Sequence, residues 1–557
     1  MVFPKSILTF GSFLFLIGLL LSPAQSPSKP LIFSDSTHAN QTLYIDSNWI
    51  QKEVAQNDFL RFFSDSIVNF YKNRNFKHAW FDSTELTESA KSFINALHSY
   101  TTLNSGNKMV IFPELKIIYS HLETFPDNDP LPDTLKRQMD LLLTGNFYYF
   151  INFIHHGDNE RMKDINWFIP LHKISTDSAI THLLKNAPNS KFDSITLNNQ
   201  FDLLLNSLRK YYAIEKKNNW DSIELKTTVL KVGSKNGSVP EIKTRLYLFG
   251  DLTTNDRSTL FTKELKEAVV EFQKSNGLKE DGVIGPQVLS QLNRPIHDRV
   301  LQILVNLERS KWMQAKPNTT FIIVNIPEFK MHVYEGSTLS WSCSVIVGKA
   351  GTNTISFTSN MKYIVFSPYW NIPQSIIKSE IIPEMIKKPS YIAHHNMEIR
   401  SGEKVMNPAS ITWSKYQESR FPYSIRQKPG AKNALGYVKF IFPNEYNIYL
   451  HDTPEKGLFN QTNRMFSHGC IRIEEPLKLA QFLLKADTSW TDEKIKETMY
   501  NGEEKVVILK KMVPVFINYL TAWVDENNRL NFRADIYGHD AKLAKQLFLQ
   551  SDEDTSK

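Results

Sequence analysis

The sequence predicts a multidomain chain. An α-helical N-terminal half is followed by a compact segment of short helices and a mostly-β C-terminal domain interrupted by a long insertion. Three observations carry this. The 557 residues suffice for roughly three or four domains of ~100–200 residues each. Apolar residues recur at three- and four-residue steps before about residue 220, and the period changes to that of a strand only after Trp312. Between these regions, glycines at 277, 282 and 285 have the placing of helix caps and tight turns.

At the N-terminus, Ile7–Leu21 is apolar apart from Thr9, Gly11, Ser12 and Gly18, with Lys5 before it and Ser22-Pro23-Ala24 after it. Residues 1–24 therefore read as a signal peptide or a membrane anchor, which places the expected site of action in the periplasm. Residues 25–45, rich in Ser, Pro and Asn, read as a linker. A helical scaffold is expected over 46–225. Phe59, Phe62, Phe63, Ile67 and Phe70 form one stripe, Leu203, Leu204, Leu208 and Tyr211 another, and Met139–His156 is a strongly apolar helix. These stripes read as core and suggest no chemistry.

Composition narrows the function. Hydrophobic residues at 41% and aromatics at 12% exclude wholesale disorder. A net charge of +7, from 65 Lys and Arg against 58 Asp and Glu, is too diffuse to argue for nucleic acid, though it suits a partly anionic polymer. Two cysteines exclude a disulfide scaffold and a multi-cysteine zinc site, and a single near-spanning apolar run excludes a helical membrane bundle.

The segment 230–292 contains Val239-Pro240-Glu241-Ile242, a helix at 262–274, Phe272-Gln273-Lys274-Ser275-Asn276-Gly277-Leu278 and Asp281-Gly282-Val283-Ile284-Gly285-Pro286. This pattern resembles the peptidoglycan-binding domain, a three-helix module. The resemblance implies glycan strands as a partner of residues 230–292, with an architectural spacer as the alternative.

After a helix at 295–312, Phe321–Ile326 is a continuous apolar run, and Met331–Tyr334, Glu335-Gly336 and Leu339–Val347 read as a hairpin. Tyr437–Phe442 and Tyr446–His451 read as a second. The pattern lapses over about 375–432, a length that suits a lid or a disordered loop. The catalytic candidates fall in 297–510, and an extension at 511–557 is expected to pack back on the scaffold or catalytic domain.

The sharpest feature is Phe466-Ser467-His468-Gly469-Cys470-Ile471-Arg472, with His451 nineteen residues before Cys470. A cysteine attacks acyl carbon as thiolate, so a neighbouring imidazole or positive field is expected to lower its pKa. Strand alternation puts Asn447, Tyr449 and His451 on one face, with His451 at the strand end. His468 is nearer in sequence, but adjacent side chains on an extended segment diverge, which favours His451. Gly469 allows a bend through which the amides of Gly469 and Cys470 could meet an oxyanion. Arg472 offers a cation for a substrate carboxylate. A Cys343–Cys470 disulfide is the bland alternative. Zinc is disfavoured, since two histidines and one cysteine without paired spacing make a poor site.

His451, fifteen intervening residues and Ser467-His468-Gly469-Cys470 with Arg472 resemble the L,D-transpeptidases of the YkuD-fold family, in their large multidomain YcbB-like branch. Tyr369-Trp370-Asn371-Ile372-Pro373, Arg426-Gln427-Lys428-Pro429-Gly430 and Thr521-Ala522-Trp523-Val524-Asp525 are similar to that branch too. The resemblance implies acyl transfer on peptidoglycan tetrapeptide stems, donor and acceptor, with carbapenem-type compounds as inhibitors and no cofactor or metal. It implies Cys470 as nucleophile and His451 as base. The amides of His468, Gly469 and Cys470 would form the oxyanion hole, and Tyr449, Arg472, Ser467 and Asn433 would bind substrate. The implied product is a 3→3 cross-link. L,D-carboxypeptidase activity, D-amino-acid exchange, lipoprotein attachment or release, and a non-catalytic wall-binding scaffold stand as alternatives. One departure is Asp452, where glycine is common in the family.

Overall fold

The computed structural model describes residues 44–549, apart from 83–84, 103–117, 119–130, 156–158, 172–175, 187–199, 218–219, 226 and 315. The expected signal or anchor segment, and all but the end of the linker, lie outside the described residues.

The scaffold is helical, with its longest helix at Asp133–His155. That helix buries Met139, Leu142, Leu143, Phe147, Phe150 and Ile151, so apolar side chains on several sides make it the centre of the bundle. Its one fully buried carboxylate, Asp140, accepts hydrogen bonds from the Tyr71 hydroxyl (2.5 Å) and from the amides of Ala79 (3.1 Å) and Trp80 (2.9 Å). The phenylalanine stripe is broken. Ile67 and Phe70 are buried, whereas Phe62 is 54% exposed, because the helix Asp58–Arg61 ends before it and a new phase starts at Ser64.

In the small module, helices Val239–Phe249, Lys263–Ser275 and Pro286–Leu292 pack around Ile242, Leu246, Phe261, Leu265, Val269, Phe272 and Ile284. The Gln273 side chain donates to Asp281 Oδ1 (2.9 Å) and accepts from the Gly282 amide (2.8 Å). This fastening ties the glutamine after Phe272 to the later Asp-Gly turn.

The mostly-β domain is built on β1 (Thr320–Asn325), β2 (Lys330–Glu335), β3 (Thr338–Gly348) and β4 (Phe357–Phe366). An insertion holding β5 (Trp370–Asn371), β6 (Met397–Ser401), β7 (Lys404–Met406) and β8 (Ser424–Gln427) follows. The chain then returns through β9 (Val438–Ile441), β10 (Leu450–His451), β11 (Met465–Ser467), β12 (Ile471–Ile473) and β13 (Lys505–Asn518). The main sheet has the order β11-β3-β12-β10-β9-β4-β13-β1-β2, and pairing of β2 with β3 closes it on itself. Val324, Met331, Val345, Ile364, Phe440, Leu450, Ile471 and Val515 fill its interior.

Three expectations are corrected. The second hairpin is much shorter than expected: only Leu450 and His451 pair with β9, opposite Phe440 and Lys439. Asn444 Oδ1 instead accepts from the amides of Tyr446 (3.0 Å) and Ile448 (3.2 Å), so side-chain turn chemistry displaces the ladder. The insertion is a folded unit, with sheet order β5-β8-β6-β7 and a core of Ile372, Ile377, Ile381, Ile382, Ile399, Trp413 and Ile425. Its apolar residues are spread over short irregular elements that carry no clear period. The expected domain end at 510 falls inside β13, whose later half pairs with β1 and β4 together. A register irregularity between Ile508 and Val513 mimics an ending.

Beyond β13, the hairpin β14 (Ala522–Val524) and β15 (Leu530–Phe532) joins all three parts. Ala522, Val524 and Phe532 complete the scaffold core. Arg533 donates to the Ser275 carbonyl of the small module (2.9 Å). Asn306, on the helix Ile296–Lys311, accepts from the Thr521 amide (3.0 Å) and donates to its hydroxyl (2.6 Å). Gln200 of the scaffold donates to the Val524 carbonyl (2.6 Å) and accepts from its amide (3.0 Å). Gln200→Ala is expected to cost about 1–3 kcal/mol for each buried backbone group it orphans. Hydrogen exchange at the Val524 amide should quicken, while amides of the main sheet keep their protection.

Candidate active site

Cys470 lies in the bend between β11 and β12, on a loop braced from several directions. Ser467 Oγ donates to the Cys470 carbonyl (2.5 Å) and accepts from the Gly469 amide (3.1 Å). Thr354 Oγ1 donates to the Gly469 carbonyl (2.8 Å), and the Lys349 amide to the Ser467 carbonyl (2.9 Å). Gly469 has φ +113°, a conformation that side-chain-bearing residues rarely adopt, so the bend needs glycine for its dihedral rather than for space.

His451 arrives through the sheet. Leu450 and His451 pair in parallel with Ile471 and Arg472, which sets the histidine on the strand beside the one that starts just after Cys470. The imidazole is buried, 5% exposed, and its Nδ1–H donates to the Asp452 carbonyl at 2.5 Å. A carbonyl can only accept, so the proton sits on Nδ1 and Nε2 is left as the base. Burial, then the charge of Arg472, pushes the imidazole pKa down to about 3.

The half-buried thiol of Cys470 donates to the Asn447 carbonyl (3.6 Å) and is hydrogen-bonded with the Tyr449 side chain. Burial pushes the thiol above its ordinary range, and raises the Tyr449 phenol as well. Burial thus opposes the charged form of both groups, whereas the sequence reading expected a neighbouring imidazole to lower the pKa of the thiol. A disulfide is excluded in this structure, since both cysteines are free and Cys343 is buried on β3, its thiol pushed up to about 12 by burial.

The other expected residues divide. Tyr449 and Arg472 stand at the thiol and at the base. Arg472 is ion-paired with Glu455 and mostly buried. The Gly469 amide is occupied by Ser467 Oγ, so an oxyanion would meet the amides of His468 and Cys470, which have no acceptor among the described residues. Ser467, 2% exposed, holds the bend and does not face a ligand. Asn433 is likewise buried: its Nδ2 donates to the carbonyls of Pro368 (2.9 Å) and Lys428 (3.0 Å), and its Oδ1 accepts from the Leu435 amide (2.8 Å). It staples the base of the insertion rather than binding substrate. The His468 side chain turns outward, with Nε2 2.9 Å from Glu380 Oε1 of the insertion. Glu380, Thr354 and Glu455 carry no local motif, and sequence reasoning missed them.

Residues 319–508 match the family model "L,D-transpeptidase catalytic domain". The chain thus contains a YkuD-type L,D-transpeptidase catalytic domain. Residues 65–208 match "Scaffold domain" and 235–292 "Putative peptidoglycan binding domain". A protein of Haemophilus influenzae named "Putative L,D-transpeptidase" is 38% identical over 223 residues. The match spans 40% of this chain and 45% of that relative, less than half its length. Crystal structures of the L,D-transpeptidases of Stackebrandtia nassauensis (16% identity, TM-score 0.21) and Xylanimonas cellulosilytica (12% identity, TM-score 0.16) are also similar. Each covers 53% of this chain, with 97% and 100% of the solved chain aligned respectively.

With burial raising the thiol, alkylation of Cys470 by iodoacetamide should keep accelerating past about pH 9.5, roughly one unit above the free-thiol pKa of ~8.5, where an ordinary thiol levels off. His451→Ala should leave that profile nearly in place, because no imidazolium charge is lost. A plateau near neutral pH in the parent, abolished by His451→Ala, would instead reveal a preformed ion pair.

Proposed function

We propose that this chain is a peptidoglycan L,D-transpeptidase acting outside the cytoplasm. What supports the reading most directly is the parallel pairing of β10 with β12, which brings a neutral histidine with a free Nε2 beside a cysteine loop with two unoccupied amides. Cys470 Sγ attacks the carbonyl of the third residue of a tetrapeptide stem, typically diaminopimelate, and His451 Nε2 takes the thiol proton as the C–S bond forms. The amides of His468 and Cys470 receive the oxyanion. Collapse breaks the bond to terminal D-Ala, whose nitrogen leaves with the proton from His451, and a thioester remains. The side-chain amine of a second stem's third residue attacks it and gives up a proton to His451. The thiol is regenerated and a 3→3 cross-link is formed.

Because base and nucleophile rest uncharged, proton transfer accompanies attack rather than preceding it. Arg472, held by its ion pair with Glu455, and Lys439 both disfavour the imidazolium and place cationic side chains near the base, where a substrate carboxylate could meet them. The insertion, touching the motif through Glu380 and His468, would exclude water and favour an amine acceptor. The module at 230–292 would hold glycan strands.

Purified full-length protein incubated with disaccharide-tetrapeptide and followed by mass spectrometry should show an acyl-enzyme that has lost D-Ala, then a cross-linked dimer. Cys470→Ala should abolish both, and His451→Ala should slow acylation by roughly 10²–10⁴. Carbapenem should add its mass to the parent and not to Cys470→Ala. Tripeptide with no dimer would assign water as the acceptor and replace this reading with a carboxypeptidase.

A further inference from the structure

Asp452 joins two structures that the reaction needs. Its backbone carbonyl is the acceptor for His451 Nδ1–H. Its carboxylate, on a residue 2% exposed, is surrounded by donors: Oδ1 accepts from the Thr453 amide (2.7 Å) and Lys456 Nζ (2.6 Å), and Oδ2 from the Tyr437 amide (2.9 Å). Tyr437 is where the insertion re-enters the sheet. Its carbonyl accepts from the amide of Ser367, the residue after which the insertion leaves. Ser367 itself has φ +44° and is buried. Gly436, at φ +62°, lies so close that a Cβ there would come within 2.3 Å of Asp452 Oδ2. The base of the insertion is thus fitted around one carboxylate.

We propose that Asp452 is a positioning residue that couples the base of the insertion to the orientation and tautomer of His451. The inference rests on His451 being the catalytic base. The carboxylate and the carbonyl belong to one residue, so a displacement of Tyr437 or Gly436 tilts the Asp452 peptide and, with it, the imidazole. Closure of the insertion would then be felt at Nε2. The chemistry demands a carboxylate. Three donors converge on its two oxygens, and an asparagine, with one acceptor oxygen, must turn its own N–H groups toward at least one of them. This explains an aspartate at a position where a residue lacking a side chain would suffice for the carbonyl alone.

The test uses full-length protein labelled with ¹⁵N-histidine, the His451 signals being assigned by their loss in His451→Ala. In the parent, the His451 ring should show Nδ1 protonated and Nε2 bare. In Asp452→Asn that signature should weaken, and acylation by tetrapeptide should slow about 10- to 100-fold in kcat with KM little changed, the expectation for a misplaced catalytic group. Lys456→Met removes one donor from the half-exposed side of the same carboxylate, and should shift the signature the same way by a smaller amount. If Asp452→Asn does not fold, Lys456→Met decides. A folded variant that keeps the Nδ1–H signature and stays within about twofold of the parent kcat overturns the proposal. So does one that changes KM alone, for the carboxylate would then serve only the insertion. The histidine spectra need no substrate, so a parent that fails to acylate would remove the proposed reaction and leave this inference readable.

Discussion

Two residues of β10 hold the catalytic domain's chemistry together. Leu450 and His451 lie between β9 and β12, antiparallel to one and parallel to the other. Parallel neighbours require a connection that leaves the sheet and returns in the same direction. Here it runs from Asp452 to Cys470, through a 3₁₀ turn at Lys456–Asn460 and along β11 at the sheet edge. Cys470, the proposed nucleophile, therefore sits at the end of this excursion, at the start of the strand that pairs with the one carrying His451, the proposed base. Their proximity is a consequence of sheet register, and it survives as long as Leu450 and Ile471 remain in the core.

Burial sets the electrostatic character of the site. A histidine enclosed in the sheet loses the hydration that an imidazolium needs, and two nearby cations oppose it further. The thiol is desolvated in turn. The same burial thus opposes charge on the histidine and on the cysteine. The loop that presents it is correspondingly rigid: Ser467, Thr354 and Lys349 fix its carbonyls, leaving the amides of His468 and Cys470 for a developing oxyanion.

Larger parts are tied by side chains that reach across the chain. The hairpin β14–β15 is threaded between scaffold, small module and the helix Ile296–Lys311, so residues separated by more than three hundred positions share a core. The small module is thereby anchored to the scaffold and held at a fixed place relative to the catalytic sheet. The insertion differs. It has a core of its own and meets the motif through an exposed Glu380–His468 pair, a contact of the strength expected for a surface ion pair rather than a packed interface. Its base, by contrast, is tied to the sheet through the Tyr437 amide and the carboxylate of Asp452.

The sequence by itself determined the helical scaffold, the three-helix module and the first hairpin, and it singled out Cys470 and His451 as candidates, which the register of β10 and β12 sets on neighbouring strands. Each rests on local pattern: a helical period, a glycine turn, a strand alternation, or a motif whose members stand at a set spacing. It misjudged what depends on distant partners. Asn433 and Ser467 carry polar groups fit for a ligand, but carbonyls and amides brought by tertiary folding claim them. Tyr446–Tyr449 alternates like a strand, yet Asn444 captures its amides. The charge state of the thiol and imidazole was beyond reach of the sequence for the same reason. It is set by how much water the assembled sheet, insertion and connecting loops exclude, and exclusion of water is a property of the folded volume, not of any run of residues.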